Sequence, residues 1–176
     1  MLCGEYSSLV ARVMNIFVLH RDPGKAARML CDSHVIKMVV ESAQMMASAL
    51  RRHGAGDAHM PTTLKGTPYK NSHPNHPCTR WAGDSSINYQ WLSRHALALC
   101  AEYTLRYGKT HACEGPIRQM SQSAFIPRKP ERLTPFAQVV PDEFRHKDVV
   151  QAYRAYYQSK DFAKWERSTP APPWWS

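Results

Sequence analysis

The chain has 176 residues, of which 43% are hydrophobic, 10% aromatic and 21% charged. That is enough for one domain with a real core, and too apolar for disorder as the overall state. No run of about 18 apolar residues is present that could cross a bilayer as a helix. Twenty-three Lys and Arg against fourteen Asp and Glu leave a formal charge of +9, which makes a polyanion such as nucleic acid the first partner to consider.

The cysteines Cys3, Cys31, Cys78, Cys100 and Cys113 are odd in number and lack paired short spacings. In a chain this long they read as reduced thiols, which points to a cytoplasmic setting. The stretch from Met1 to Val13 carries Glu5 and Arg12 in a mixed context, unlike a secretory signal. Organised sequence begins at Met14, so the expectation is a non-native or disordered leader over 1–13 and a single helical domain over 14–176.

Asn15 to Leu19 is the one stretch where a strand is conceivable. Asp22 as N-cap and Pro23 at the first helical position then open a helix, and the chain runs to about His53 before Gly54 and Gly56 stop it. This is one long helix, or two broken near Cys31 and Asp32. His34, Lys37, Glu41, Gln44 and Ser48 recur at intervals of 3, 4, 3 and 4, which puts them on one stripe. Val35, Ile36, Met38, Val39, Val40, Ala43, Met46, Ala47 and Leu50 cover the remaining circumference. The stripe is either a solvated face, the commoner case for an amphipathic helix, or the wall of a cleft.

Gly54 to Pro77 reads as a long loop, ending in Tyr69-Lys70-Asn71-Ser72-His73-Pro74-Asn75-His76-Pro77. A second helix, capped by Asp84 or Ser85, runs through Trp91, Leu92, Leu99 and Tyr103 to Gly108, with Arg106 near its C-terminus where a cation suits the helix dipole. Recurrent prolines from His111 to Phe144 leave room for one short helix, Ile117 to Gln122, within extended wrapping. A final helix is expected from about Asp148 to Trp165, followed by a Pro-rich tail whose Trp174 and Trp175 should dock on the body. The fold class is therefore mainly α, a single compact helical domain with long Pro-rich loops.

His73-x2-His76 with Cys78, and His111-x-Cys113, match no zinc signature, so neither a metal nor any other cofactor is expected. Cys31 and Cys100 lie in apolar helical contexts suited to inert thiols, and neither a phosphate loop nor a nucleophile elbow is present. Basic and aromatic residues interleave around Tyr69 to Trp81 and again over Tyr153, Arg154, Tyr156, Tyr157, Lys160, Lys164 and Trp165. Such a mixture suits base stacking with phosphate contacts, while tyrosines at helical spacing also suit half-buried packing.

Several short motifs occur in order: Met-Asn-Ile-Phe, Asp32-x-His34 with Glu41 nine residues after the Asp, Asn75-His76-Pro77, Glu102-Tyr103-x2-Arg106-Tyr107-Gly108, and Tyr153-Arg154-x-Tyr156-Tyr157. From Met14 to Trp175 this order resembles a widespread set of small phage proteins. More distantly it resembles the pyrimidine-dimer DNA glycosylases of endonuclease V type. The second resemblance implies an all-helical enzyme that flips a nucleotide out and cuts the glycosidic bond. Its N-terminal α-amine is the nucleophile, forming a Schiff base that a helix glutamate carries through β-elimination.

Carried onto this chain, the resemblance assigns Glu41 as the catalytic carboxylate and His34 as the helix histidine. The amine belongs to Met14 if translation starts there, because Asn15 is large for routine removal of a preceding methionine, or to Met1 if the long start is used. In contrast to the phage enzyme of that family, Val40 stands in place of an arginine beside the glutamate. An α-amine, with an ordinary pKa near 8, is partly neutral at pH 7. Lys37 could replace it only if burial depressed its pKa, and an ion pair with Glu41 would do the opposite.

The nucleic-acid contacts expected are Lys37, Gln44, Lys70, His73, Asn75, His76, Arg80, Arg106, Tyr153, Arg154, Tyr157 and Lys160. The leading expectation is a monomeric DNA glycosylase with lyase activity on damaged or modified pyrimidines, without membrane association. The alternatives are a non-enzymatic helical nucleic-acid-binding protein and an enzyme acting on free nucleotides.

Overall fold

Asp22 caps the first helix by accepting the Lys25 N–H at 2.7 Å, and Pro23 occupies the first turn, as its sequence predicts. This helix, α1 (Pro23–Arg28), is short. The chain turns at Met29 and Leu30 and re-enters helix as α2 (Asp32–Arg52), so the two-helix alternative is the observed one. Cys31 at the break supplies no side-chain cap; its N–H donates to the Tyr157 hydroxyl at 2.9 Å instead. The computed structural model describes residues 14–175, and the expectation for the leader 1–13 lies outside them.

His76 and Pro77 open α3 (Pro77–Asp84), a helix absent from the sequence-based reading. The prolines before it suggest a loop, yet Pro77 sits at the one helical position that needs no N–H, and the His76 ring accepts the Cys78 N–H at 3.2 Å. Ser85 then caps α4 (Ser86–Tyr107), which ends as expected at Gly108, in the left-handed conformation at φ 69°. After it come α5 (Glu114–Ser121) and α6 (Val149–Gln158), the latter capped by Asp148 through the Val150 and Gln151 N–H groups. The final helix thus stops seven residues before Trp165, the limit expected from sequence.

Helices α2 and α4 pack on one another at the centre, with α1 on α4 and both α3 and α5 on the central pair. The expected centrality of α2 is observed: Val35, Met38, Val39, Ala43, Met45, Met46, Ala49 and Leu50 are all buried. Ile36 and Val40 are not, being more than a third exposed. Asn15 to Leu19 forms no strand. It is an irregular buried segment in which Phe17 takes φ 54°, and the Asn15 side-chain oxygen accepts the Ile16 and Phe17 N–H groups at 2.8 and 3.3 Å. Among the described residues the only bridge pairing is the isolated contact between Thr62 and Pro68.

One buried ionic cluster ties the helix ends together. Arg106, its side chain fully enclosed, bonds Glu102 at 3.0 Å, Asp32 at 3.1 Å and the carbonyls of Leu30 and Arg28. Asp32 also accepts the Glu166 N–H and Glu102 accepts the Thr169 hydroxyl, which fastens the C-terminal segment. Trp174 and Trp175 dock as expected, their rings about 6 Å from Tyr157, with the Trp174 indole N–H 3.4 Å from Met29 Sδ. Cys31, Cys78 and Cys100 are buried free thiols and Cys113 is a half-buried one. Among the described residues no helix is long and apolar enough to cross a membrane.

Candidate active site

The stripe on α2 is unevenly solvated. Glu41 and His34 are sunk to 8% and 6% exposure, Gln44 is half-buried, and Lys37 stands at the rim. Two of its polar side chains are therefore withdrawn from bulk water, which a fully solvated face would not do. Ser48, fully buried, accepts the His73 N–H at 3.3 Å and draws the loop ending at His76 against the C-terminal half of α2.

Glu41 is engaged at both oxygens. Oε1 lies 3.3 Å from Lys37 Nζ, one turn earlier on the helix, and Oε2 accepts the Asn15 backbone N–H at 3.0 Å. The Asn15 side-chain amide donates to the Val139 carbonyl at 2.7 Å. The start of the buried segment 14–19 is therefore held between the carboxylate and the late chain. Phe17 stacks its ring on His34 at 4.9 Å and 19°. A left-handed residue without the freedom of glycine costs about 1–3 kcal/mol, and the Asn15 side chain and this stacking hold it in place.

His34 Nδ1 lies 2.8 Å from the Tyr157 hydroxyl, which already accepts the Cys31 N–H. If the hydroxyl donates to Nδ1, His34 Nε2 carries the proton and is the donor left over. Burial first, then the charges of Lys160 and Lys37, push the His34 pKa down to about 3. His34 is a neutral hydrogen-bond donor at pH 7 and not a cation. Lys160 Nζ lies 3.9 Å from the Tyr156 ring centre and 5.2 Å from that of Phe17, and its pKa is lowered by burial and by Lys37. His76, on the other side, is lowered by burial and by His73, with the Met14 carbonyl opposing the shift.

The structure gathers Glu41, Lys37, His34, Asn15, Phe17 and Lys160 along one side of α2, with Met14 beside His76. Lys70, His73, Asn75 and Arg80 are exposed on the loop and on α3. Three expected nucleic-acid contacts are corrected. Arg106 is enclosed and spends its guanidinium on Asp32, Glu102 and two carbonyls. Tyr153 and Tyr157 are fully buried: the Tyr153 hydroxyl bonds the Ala137 carbonyl and Val139 N–H, and the Tyr157 hydroxyl bonds Cys31 and His34. None of the three can stack on a base or reach a phosphate. Arg154 is also turned inward, with Nε 3.0 Å from the Leu19 carbonyl and its guanidinium 5.2 Å from the Trp174 ring. Sequence reasoning did not single out Asn15 and Phe17 as site residues. The signal available was a polar residue and an aromatic placed directly after Met14.

Among the described residues no three of His, Cys, Asp and Glu converge as a metal site. The Cys78 thiol, pushed up to about 12 chiefly by burial, stays protonated at neutral pH and is no nucleophile. What remains is a sunken carboxylate against a backbone nitrogen, a neutral histidine donor and flanking ammonium groups. No curated protein and no solved structure matches the chain. The model of the family described as pyrimidine dimer DNA glycosylase matches residues 14–115, more than half of the chain, and the chain belongs to that family.

Proposed function

We propose that the protein is a DNA glycosylase with AP-lyase activity on damaged pyrimidines, working through a Schiff base formed by an amine at the start of the segment 14–19. The contact that carries this reading is the 3.0 Å bond from the Asn15 N–H to Glu41 Oε2, which sets the catalytic carboxylate beside the backbone nitrogen next to Met14. With translation from Met14, the Met14 amine lies one residue from that contact. If Met14 is removed, the nitrogen held by Glu41 itself becomes the α-amine.

In the reaction the neutral amine attacks C1′ of the damaged nucleotide and the glycosidic bond breaks. The base leaves with the bonding electrons and takes up a proton. Glu41 stabilises the positive charge that develops at C1′, a use suited to a carboxylate fixed in a partly desolvated cleft. Loss of the amine proton and opening of the sugar ring give the imine. Glu41 then removes a proton from C2′, and the C3′–O bond breaks with the phosphate as leaving group. The His34 Nε2–H serves as a donor to the flipped nucleotide, and Lys37 and Lys160 face phosphates. Lys37, 3.3 Å from Glu41 Oε1, is assigned as a rim contact and not as the nucleophile.

The test is borohydride trapping on UV-irradiated duplex DNA, with the adduct mapped by mass spectrometry. The expected result is one covalent adduct at the α-amine of Met14 or Asn15, unaffected by Lys37→Ala. Tight DNA binding with neither adduct nor base release would overturn the enzymatic reading.

A further inference from the structure

Away from Glu41, a cavity of about 460 Å³ is lined by Arg21, Arg132 and Lys147 around Thr134, Phe136 and Gln138. Three cations face it and no carboxylate lines it. A second cavity, about 580 Å³, sets Arg128 against Glu131 and has no such excess. Asp148, next to Lys147 in the chain, bonds Arg21 at 3.3 Å and also caps α6, while Arg132 and Lys147 form no ion pair among the described residues.

The walls are fixed by contacts to the helical core. Thr134 is gripped by Asn88, which accepts its N–H at 3.0 Å and donates to its hydroxyl at 2.7 Å. The Phe136 ring is wedged between Trp81 and Trp91, at centroid distances of 4.8 and 4.9 Å. The Trp91 indole N–H holds the Arg21 carbonyl at 2.8 Å. Gln138 donates to the His146 carbonyl at 2.7 Å and so places Lys147 on the rim. Like charges brought together on a pinned frame repel one another, and an anion relieves that repulsion. The cavity is also joined to the candidate active site. Gln138 precedes Val139, whose carbonyl holds the Asn15 side chain, and Asn15 holds Glu41.

We propose that this cavity is a phosphate-binding site that takes a backbone phosphodiester of the DNA engaged at Glu41, so extending the contact surface into the chain beyond the family match. The inference rests on the DNA-acting reading above. Its cations come from both sides of the match limit: Arg21 lies inside 14–115, and Arg132 and Lys147 lie outside.

The experiment compares the full chain with the double variant Arg132→Ala/Lys147→Ala, both residues being exposed and absent from the catalytic set. The affinity for duplex DNA is measured across a salt series. Each phosphate contact contributes about 0.9 to the slope of log affinity against log salt, so losing the one phosphodiester contact should make the variant slope shallower by about 0.9. Single-turnover base release at saturating DNA should be unchanged, and Arg132→Lys/Lys147→Arg should restore the slope. A wild-type slope in a folded double variant would overturn the proposal and leave the glycosylase reading intact. Weaker binding of thymidine monophosphate with an unchanged DNA slope would also overturn it, by assigning the cavity to a free nucleotide. Failure of the wild-type chain to bind DNA would overturn both readings.

Discussion

On α2, Glu41 and His34 lie just below the surface, with Lys37 and Lys160 beside them. On α6, Tyr153 and Tyr157 lie deeper, and every polar atom they carry is answered by the protein itself. In sequence the two stripes look alike, with polar or aromatic-polar residues at helical spacing on a mostly apolar helix. The difference is whether the polar atoms are satisfied internally. A hydroxyl that already bonds two protein groups is a structural tie, whereas a carboxylate held by one backbone N–H and one rim ammonium can still accept a proton. α6 supports the site from behind: Tyr157 sets the His34 tautomer, and Tyr153 fixes the strand of chain at Val139 that holds Asn15.

The largest expected effect breaks the comparison on the α2 side. Glu41→Gln should still accept the Asn15 N–H, fold and bind DNA, but lose the charge and the proton-transfer ability. Base release and strand cleavage should fall by about two to four powers of ten in single-turnover assays. If the variant unfolds instead, the carboxylate is a structural tie like Tyr157 and the contrast between the helices disappears.

Arg106→Ala probes the opposite pole. Removing the guanidinium leaves Asp32 and Glu102 as buried carboxylates without their shared cation, a loss of about 3–5 kcal/mol in stability measured by denaturant unfolding. Among the molecules that remain folded, DNA affinity should be unchanged, because Arg106 is fully enclosed. A drop in affinity in proportion to one lost phosphate contact would restore the nucleic-acid role expected from its motif.

Legibility from sequence followed the same division. Helix ends with a strong local signal were readable: Asp22 with Pro23, Ser85, Gly108 and Asp148 each terminate or cap where the residue type requires. The α2 stripe was readable as well, since its period is a property of the helix alone. The break at Cys31 was legible only as one of two alternatives, because its amide is satisfied by Tyr157, which is 126 residues away in sequence. The α3 helix was hidden because prolines argue for a loop unless one sits at the first helical position. The direction of the α6 tyrosines could not be read: aromatic-polar residues occupy adjacent faces at 153, 156 and 157, and long-range packing decides which face turns in, Tyr157 against the C-terminal tryptophans and Tyr153 against Phe17 and the chain at Ala137 and Val139. Asn15 and Phe17 owe their place to a left-handed turn that no periodicity announces.

The smallest effect separates the two kinds of histidine environment by pH. Burial first, and then Lys160 and Lys37, hold His34 at about 3; burial holds His95 at about 4, against the opposing carbonyls of Pro23 and Ile16. Both lie below the ordinary histidine value of 6.5, so the unfolded chain binds more protons than the folded one between these limits, and stability rises with pH there. The stabilisation is fully present above the unfolded pKa. It is lost as the pH falls, until His95 protonates in the folded state near 4 and His34 near 3. Each contributes a slope approaching about 1.4 kcal/mol per pH unit below the unfolded pKa. Urea unfolding followed from pH 7 to pH 5, before most carboxylates titrate, should show this decline, and His34→Gln should remove its own share while leaving that of His95. A decline left unchanged by His34→Gln would mean that His34 takes up its proton in the folded state as readily as in the unfolded chain. It would then be a cation beside Lys37 and Lys160, and its place would be among the phosphate contacts and not as a neutral donor to the flipped nucleotide.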